Sequence, residues 1–432
     1  DTGRPTSVVT RFQPALWCAS AALIVFIVLF WRLGAPSFWD PDEAHYAETT
    51  REMVVTGDWW APFYNEQPFF DKPVLFHQLQ AAAMVAFGAT EFGARLVPAL
   101  AALAVVLLTA WVGATLASRD VAAVAALLMA TSPGLFALAR YAILDTLFTA
   151  FVFGGAALVA VAALRDRPAL QYPGYVLLAC GVLTKGPLAL VLCGLTFLLA
   201  IAASADARRR LLGLRWAFGI AIAVALSAPW FIYMYVRFRQ DFVDGYFLDE
   251  NFKLFATSRF AGQPGVWFYF QILAASLLPW TALLIGRLVD DVRAVWARRS
   301  LDTFEVFLWA WTAAIVGFFT LSQFKLDHYV FPAGPALCLL CARAWSDVRA
   351  RPSAPENRAT LVGLHLVGPL MVLIGLVGGY FMILRLDLPW AAIVVPAVMT
   401  LAGIIVMMSS NRYGRWPMPR VPWAGVAAVT VA

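Results

Sequence analysis

Residues 92–117 read FGARLVPALAALAVVLLTAWVGATLA, and Arg95 is the one charged residue in this run. A helix of roughly 17–25 apolar residues is long enough to cross the hydrocarbon core of a bilayer. The rest of the chain is similar, because 62% of its 432 residues are hydrophobic and only 13% are charged. Soluble domains are about 25% charged. The sequence therefore predicts a membrane protein rather than a soluble fold with one large core.

Further apolar runs of this kind recur on both sides of that stretch. The candidate spans are 14–33, 92–117, 120–138, 142–164, 172–184, 187–204, 213–236, 266–286, 304–322, 328–346, 360–384 and 389–409, and a thirteenth begins near 421. Lys185-Gly186-Pro187 divides the pair at 172–204, which leaves open two short spans or one broken helix. We therefore predict an all-α polytopic membrane protein with about 12–13 transmembrane helices.

Arginine is concentrated in the short loops on one side of these spans, for example at Arg208, Arg209 and Arg210. Because basic loops stay in the cytoplasm, the pattern predicts a cytoplasmic N-terminus. Two long loops, 34–91 and 237–265, then lie on the opposite side. Both are rich in aromatic residues, so we expect them to form short helices on the bilayer surface.

The four lysines of the chain all fall on the non-cytoplasmic side: Lys72, Lys185, Lys253 and Lys325. Lysine carries a compact charge with three hydrogen-bond donors. Four lysines facing one compartment indicate a site for an anion, and a chance distribution is the alternative.

Composition and motifs disfavour several classes of function. The basic residues form no stripe with interleaved aromatics, so we expect no nucleic-acid partner. The sequence has no Walker pattern, which argues against a nucleotide-driven pump. Its five cysteines lie in apolar runs and predict no disulfide framework. No tight ligand spacing assigns a metal site, and no cofactor is predicted with certainty; a divalent cation at Asp71, His45 and Glu250 is left open.

Residues 39–48 read WDPDEAHYAE and begin the first long loop. Asp40 fits an N-cap, Pro41 the first helical position and Glu43 the reciprocal position of a capping box. We therefore predict that a helix begins here as the first span leaves the membrane. Asp42 lies in its first turn, where it either complements the helix dipole or acts as a general base.

Asp145 lies about one turn inside the non-cytoplasmic end of the fourth predicted span. A carboxylate within the membrane is costly and is a candidate functional residue. The alternative is a structural ion pair with Arg140 or with another helix. Asp42 and Asp145 are predicted on the same side and at similar depth, as a site with two carboxylates requires.

Lys72 follows aromatic residues in the stretch FFDKP at 69–73. This arrangement suits a phosphate group whose lipid tail lies in the bilayer, and a snorkelling lysine is the alternative. Lys185 lies at the predicted helix break, where a helix N-terminus also favours an anion. Arg259 and Lys325 add cations on the same face, and arginine can bind phosphate through two donors.

An ordered series of motifs resembles the GT-C membrane glycosyltransferases, in the branch that holds the lipid A aminoarabinose transferase (ArnT-like) and protein O-mannosyltransferase-like enzymes. The motifs are PDEAHYAE, REM, GDW, FDKP, GARL, the Arg140–Asp145 stretch, LTKGP, PW and finally SQFKLDHY at 322–329. The resemblance covers nearly the whole chain. It implies a GT-C fold in which 1–432 form one transmembrane catalytic domain. A soluble C-terminal domain is expected to be absent or not included.

Carried over by motif, the resemblance implies that Asp42 and Asp145 are the catalytic acids. Lys72, Arg259 and Tyr329 are implied as ligands of the donor phosphate. The other implied substrate-binding residues are Glu43, His45, Tyr46, Asp71, Arg140, Lys185, Lys325 and His328. His45 departs from the family pattern, because relatives usually carry arginine there.

The family implies transfer of a sugar from a polyprenyl phosphate, such as undecaprenyl phosphate, to a lipid, glycan or protein acceptor. We expect an inverting displacement with a carboxylate as general base. We also expect a monomer in the cell inner (cytoplasmic) membrane, with its active site facing the periplasm or outside. The alternative is a transporter or flippase of an anionic lipid-linked sugar. Such a protein often has repeated halves and binding groups reachable from both sides, and we expect neither here.

Overall fold

The computed structural model describes residues 23, 25–39, 41–257, 262–352, 354–386 and 388–411, and within these ranges the chain is mainly helical. The α-helices are α1 (25–30), α2 (Asp42–Thr56), α3 (Leu75–Phe87), α4 (Glu91–Leu116), α5 (Arg119–Ala130), α6 (Pro133–Ala139), α7 (Asp145–Leu164), α8 (Gln171–Lys185), α9 (Leu188–Ala203), α10 (Ala205–Leu212), α11 (Trp216–Phe238), α12 (Gln240–Phe242), α13 (Leu254–Ala256), α14 (Phe268–Ser276), α15 (Thr281–Trp296), α16 (Thr303–Leu321), α17 (Gly334–Ala350), α18 (Arg358–Tyr380) and α19 (Val394–Asn411). The 3₁₀ and π segments are Pro168–Leu170, Val243–Lys253, Asp327–Ala333, Pro355–Asn357, Phe381–Arg385 and Trp390–Ile393.

Five of the described helical segments are long and apolar enough to cross a membrane: Glu91–Leu116, Asp145–Leu164, Trp216–Phe238, Thr303–Leu321 and Pro355–Arg385. The number rises to seven if each of two bent helix pairs is a single span. The prediction of a multi-pass helical membrane protein is thereby confirmed. Several of the predicted spans are shorter or bent helices. The thirteenth candidate span and much of the first lie outside the described residues.

Prolines lie at both bends. Ser132 caps α6 with its side chain and Pro133 stands in the first turn, where α5 and α6 meet at 59°. Proline suits the first turn of a helix but lacks the amide hydrogen that a helix interior needs. Pro279 lies in the break between α14 and α15, which are bent by 120°. The predicted spans 120–138 and 266–286 are therefore not straight helices.

Helix α7 lies at the centre of the bundle and packs closely against α8. A Cβ at Gly155 would lie 2.9 Å from the Gly174 carbonyl oxygen, and a Cβ at Gly174 would lie 3.0 Å from that of Gly155. About three turns separate Gly155 from the first residue of α7, Asp145, and Gly174 from the last residue of α8, Lys185. Because the two helices run in opposite directions, these charged residues meet at one end of the pair.

The helix predicted at the start of the first long loop is α2, and it begins at Asp42. The structure places Pro41 at the N-cap position, and no hydrogen bond from a side chain of this residue caps the helix. The Glu43 carboxylate accepts one backbone N–H from the preceding turn at 2.8 Å, but it is mainly held by Arg95 from α4. A local motif cannot reveal that long-range pair. Asp40, the predicted cap, lies outside the described residues.

An antiparallel hairpin follows α2 and was not predicted from the sequence. It pairs β1 (Phe63–Tyr64) with β2 (Gln67–Pro68). Its tip residues, Asn65 and Glu66, have φ values of 50° and 62°, as a type I′ turn requires. The Glu52 carboxylate of α2 accepts the N–H groups of Asn65 and Glu66 at 2.6 and 3.2 Å. Asn65 is a turn signal, but Asn-Glu is weaker than the Asn-Gly pair typical of such hairpins.

A buried charge network lies at the other end of α16 from the 3₁₀ segment Asp327–Ala333. Arg287 of α15 forms ion pairs with Glu305, Asp291 and Asp347. Arg343 of α17 lies 3.6 Å from the same Glu305 carboxylate. Glu305 and Arg343 thus place charge inside two of the predicted spans, 304–322 and 328–346. Because these charges are paired with one another across three helices, they hold the helix ends together.

Candidate functional site

The start of α7 and the end of α8 bring two opposite charges together. Lys185 Nζ donates to Asp145 Oδ1 at 2.5 Å, and the two side chains are only 7% and 4% exposed. The helix dipoles favour an anion at the start of α7 and a cation at the end of α8. Asp145 is therefore paired with Lys185 of another helix, which is the second of the two ion pairs considered from the sequence, rather than with Arg140.

The 3₁₀ segment Asp327–Ala333 packs against this pair. Lys185 Nζ lies 4.5 Å from the centroid of the Tyr329 ring and 5.5 Å from that of the Phe148 ring. His328 Nε2 lies 3.7 Å from Asp145 Oδ2. An ammonium group within about 6 Å of an aromatic centroid is attracted by the ring quadrupole. Aromatic rings and a neighbouring helix end thus fix Lys185 in place.

Asp42 lies beside the same cluster. Its Oδ2 atom is 3.3 Å from the hydroxyl of Tyr141, in the turn that leads into α7. Burial raises the pKa of the Tyr46 phenol well above its usual value, and the charges of Asp71, Asp145 and Asp42 raise it further. The charges of these three carboxylates therefore act on one tyrosine.

Glu43, the neighbour of Asp42, holds three segments of the chain together. Arg95 donates to both of its carboxylate oxygens at 2.8 Å, and the Ala142 N–H donates at 2.7 Å. Arg95 also donates to three backbone carbonyl groups between residues 33 and 37. Glu43 and Arg95 are almost completely buried. This pair fixes Asp42 relative to the turn that carries Tyr141 and Asp145.

Lys72 joins the first long loop to the second. Its Nζ atom donates to the Asp71 carbonyl oxygen at 2.9 Å and lies 3.8 Å from Glu250 Oε2. Glu250 belongs to the π segment Val243–Lys253, a rare helical form that is frequent at functional sites. The two side chains are 18% and 10% exposed, so this pair is looser and wetter than that of Asp145 and Lys185.

A cavity of about 390 Å³ opens between these groups. Its polar end is formed by Asp71, Lys72, Lys185, Glu250 and Tyr329. Its wall is mainly aromatic and consists chiefly of Phe247, Phe252, Phe255, Phe318, Phe319 and Phe324. A cavity lined by both cations and phenyl rings suits an amphiphile with an anionic head group.

A second cavity, of about 250 Å³, lies on the far side of the 3₁₀ segment. Asp327 and His328 line it, together with mostly apolar residues of α6 and α14. Asp145 contacts one lining residue of each cavity, His328 of this one and Lys185 of the larger one.

The sequence pattern of the dolichyl-phosphate-mannose-protein mannosyltransferase family matches residues 19–244, which is more than half of the chain. The chain belongs to this family. The matched region contains Asp42, Lys72, Asp145 and Lys185.

A curated relative is the undecaprenyl phosphate-alpha-4-amino-4-deoxy-L-arabinose arabinosyl transferase of Pectobacterium atrosepticum. The two sequences are 32% identical over 335 residues, which is 76% of this chain and 58% of that protein. The chain therefore spans less than two thirds of the length of this relative.

Two solved structures confirm the predicted GT-C fold. ArnT of Cupriavidus metallidurans bound to undecaprenyl phosphate superposes with a TM-score of 0.75 at 23% identity, covering 97% of this chain and 76% of that one. The oligosaccharyltransferase AglB of Archaeoglobus fulgidus, in complex with an inhibitory peptide and a dolichol-phosphate, gives 0.54 at 12% identity, covering 98% and 64%. At these identities the likeness concerns the fold.

Two of the predicted cationic ligands that the structure describes, Arg140 and Lys325, are not among the residues lining the larger cavity. Arg140 donates to the Arg32 carbonyl oxygen at 3.1 Å. Lys325 donates to the Ser322 carbonyl oxygen at 2.5 Å, so its charge lies near the cavity but is directed at the backbone. Arg259 lies outside the described residues. Their contact with a substrate stays a prediction.

His45 and Tyr46 lie on the face of α2 that also carries Asp42. His45 packs edge-on against Tyr64, with ring centroids 4.7 Å apart. Tyr46 stacks on His77 of α3 at 5.6 Å. Sequence reasoning gave His77 no role.

A buried hydrogen-bond chain fixes the state of His77. Gln80 Nε2 donates to the Ala94 carbonyl oxygen at 2.8 Å, so Gln80 Oε1 is the acceptor for the Thr50 hydroxyl at 2.5 Å. Thr50 Oγ1 must then accept from His77 Nδ1 at 2.9 Å. Burial lowers the pKa of His77 to about 3. A neutral imidazole therefore supports Tyr46.

Arg95 is the main site residue that sequence reasoning missed. Its isolation in the apolar run 92–117 was the available signal, because a charge inside a membrane segment needs a partner. For metal binding, the described ranges contain no group of three or more His, Cys, Asp or Glu side chains able to hold an ion. Asp71, His45 and Glu250 do not form such a group.

Proposed function

We propose that the protein is a glycosyltransferase that moves a sugar from a polyprenyl phosphate carrier to an acceptor on the non-cytoplasmic face of the membrane. Family membership supports the reaction class. The name of the curated relative, an undecaprenyl phosphate-dependent arabinosyl transferase, supports the carrier. The observation that carries the proposal is the larger cavity, whose charged end and aromatic wall match a phosphate joined to a prenyl chain.

The donor phosphate is proposed to bind at Lys72. The Lys72 ammonium is partly exposed in the cavity. It lies 3.8 Å from the Glu250 carboxylate, so a phosphate oxygen is able to replace this carboxylate beside it. Lys185 lies deeper and faces the same cavity, while its charge is balanced by Asp145. Lys72 therefore contacts the phosphate directly, and Lys185 adds positive potential as negative charge grows on the leaving group. The prenyl chain runs along the phenyl rings.

Asp42 is proposed as the general base. It is partly exposed, and its one described hydrogen bond, from Tyr141, is long at 3.3 Å. Asp145 is less suited to this work, because Lys185 holds one of its oxygens. A carboxylate that retains accessible lone pairs is able to take a proton from an acceptor hydroxyl.

The proposed step is an inverting displacement. Asp42 takes the acceptor proton as the acceptor oxygen forms a bond to the anomeric carbon. The bond from that carbon to the phosphate oxygen breaks, its electron pair stays on the phosphate, and polyprenyl phosphate leaves. A positioned general base contributes about 10²–10⁴-fold in rate.

The other predicted site residues receive supporting parts in this proposal. Glu43 positions Asp42 through Arg95. Tyr46, held against His77, presents its phenol among the carboxylates and is a candidate donor to a sugar hydroxyl. The cavity beside Asp327 and His328 is proposed to bind the acceptor. The acceptor is a lipid, a glycan or a protein, and the proposal leaves these three classes open.

The remaining expectations belong to the same proposal. The proposed lipid carrier and the family both favour a multi-pass protein of the cell inner membrane. We propose that it works as a monomer and that its site faces the periplasm or outside. The described chain acts as one transmembrane catalytic unit, in which the loops 34–91 and 237–265 form the donor site.

The test is turnover of a synthetic polyprenyl phosphate-linked sugar in proteoliposomes, with release of polyprenyl phosphate measured by mass spectrometry. The proposal expects release that depends on an acceptor fraction from the native membrane. Asp42→Asn should lower this release about 10²–10⁴-fold, and Asp249→Asn, on the other long loop, should not. Movement of the intact lipid-linked sugar between leaflets without release would favour the transporter alternative.

A further inference from the structure

The two lysines of the larger cavity are each paired with a carboxylate, but the pairs differ in strength. Lys185 and Asp145 are in direct hydrogen-bond contact and buried. Lys72 and Glu250 are 3.8 Å apart, beyond hydrogen-bond distance, and both are partly exposed. An anion entering the cavity therefore meets one cation that is firmly neutralised and one that is loosely neutralised.

Glu250 is held opposite Lys72 by a built structure. Four residues earlier in the same π segment, the Tyr246 ring is buried among Trp230, Phe231 and Phe242. Asn251 Nδ2 donates back to the Tyr246 carbonyl oxygen at 2.7 Å. The segment cannot shift without unpacking that ring, so the position of Glu250 is a property of the fold.

The Tyr246 hydroxyl also lies against Gly186, immediately after Lys185. Gly186 has a φ of 82°, and a Cβ there would overlap this hydroxyl. The same packing that supports Glu250 therefore contacts the helix end that carries Lys185. One element of the second loop sets the surroundings of both cavity lysines.

A carboxylate and a phosphate group compete for the same cation, because both present anionic oxygens to its N–H donors. We propose that Glu250 is the counter-ion that the donor phosphate displaces from Lys72, an inference that rests on the proposed donor class. In this role Glu250 limits the affinity of the cavity for prenyl phosphates. It weakens retention of the product, which carries the same phosphate, as well as binding of the donor.

The test compares equilibrium binding of farnesyl phosphate to the full chain in detergent, wild type against Glu250→Gln. A partly exposed ion pair is worth up to about 1 kcal/mol, so removing the competing charge should tighten binding on the order of fivefold. Farnesol, which has the chain and no phosphate, should bind both proteins equally.

Asp249→Asn is the matched control, because Asp249 pairs with Lys253 on the exposed side of the same segment. It removes an equal charge one residue away and should leave farnesyl phosphate binding unchanged. In a Lys72→Met background, Glu250→Gln should lose its effect, because the cation from which the phosphate displaces Glu250 has been removed. Melting temperatures of the variants report whether each is folded.

The outcomes separate this inference from the function on which it rests. Wild-type protein that fails to bind farnesyl phosphate would overturn the proposed donor class and the inference with it. Wild-type binding that Glu250→Gln leaves equal or weakens, in a folded variant, would overturn the inference alone. Tightening that persists without Lys72, or that also appears for farnesol, would likewise contradict it.

Discussion

Replacing Arg95 by Met should destabilise the fold far more than the same change at Arg51. Arg95 and Glu43 are 2% and 0% exposed and paired at 2.8 Å. Arg51 and Glu48 are paired just as closely, at 2.6 Å, but are 49% and 34% exposed. The two pairs consist of the same residue types, but the first is buried and joins α2 to α4, whereas the second is exposed and lies within α2.

The magnitude follows from what each substitution leaves behind. Arg95→Met leaves the Glu43 carboxylate buried without a counter-ion and orphans three backbone carbonyl groups. Removing one partner of a buried ion pair costs about 3–5 kcal/mol. Arg51→Met leaves a carboxylate that water can solvate, and an exposed pair is worth about 0–1 kcal/mol. Adding Glu43→Gln to Arg95→Met should recover part of the loss, because it removes the uncompensated charge.

The assay is equilibrium unfolding in mixed detergent micelles with increasing SDS, followed by tryptophan fluorescence. Transfer activity of each variant is measured alongside, and Arg95→Met should also lose activity because Asp42 is no longer fixed beside the turn before α7. Equal destabilisation by Arg95→Met and Arg51→Met would refute the reasoning. A double variant less stable than Arg95→Met alone would refute it as well.

Two further outcomes are expected. Because the folded protein keeps His77 neutral, with its pKa lowered from 6.5 to about 3 by burial, the unfolded chain takes up a proton first as the pH falls below 6.5. The free energy of unfolding should therefore fall as the pH drops below 6.5, by about 2 kcal/mol at pH 5. His77→Gln should remove this part of the pH dependence, which unfolding curves recorded at several pH values would measure. Gly186→Ala should lower transfer about a hundredfold, because the new Cβ overlaps the Tyr246 hydroxyl and displaces the helix end carrying Lys185. Gly194→Ala in α9, where nothing lies within 4 Å of a new Cβ, should keep wild-type turnover.

The features that were predictable from sequence are those set by local chemistry. Apolar runs such as 142–164 predict membrane-spanning helices, because a helix satisfies its own backbone hydrogen bonds in lipid. The Pro41-Asp42 start predicts α2, and the Lys185-Gly186-Pro187 break separates α8 from α9. Each depends on a few neighbouring residues.

The features that were missed depend on contacts distant in sequence. Glu43 fits a capping box locally, but its carboxylate is held by Arg95, 52 positions away. The pairing of Lys72 with Glu250 joins two loops that no motif links. Bends near proline at 131–133 and 277–280 break two predicted spans into shorter helices. Hydropathy did not reveal these bends, because it averages over residues and contains no information on direction.

The central claim, that a sugar leaves a polyprenyl phosphate at this site with Asp42 as base, is tested most directly by Asp42→Asn. Transfer from a polyprenyl phosphate-linked sugar is measured in proteoliposomes, and farnesyl phosphate binding is measured on the same preparation. The account predicts a loss of about 10²–10⁴-fold in transfer with binding retained. An Asp42→Asn protein that transfers sugar at the wild-type rate would contradict it.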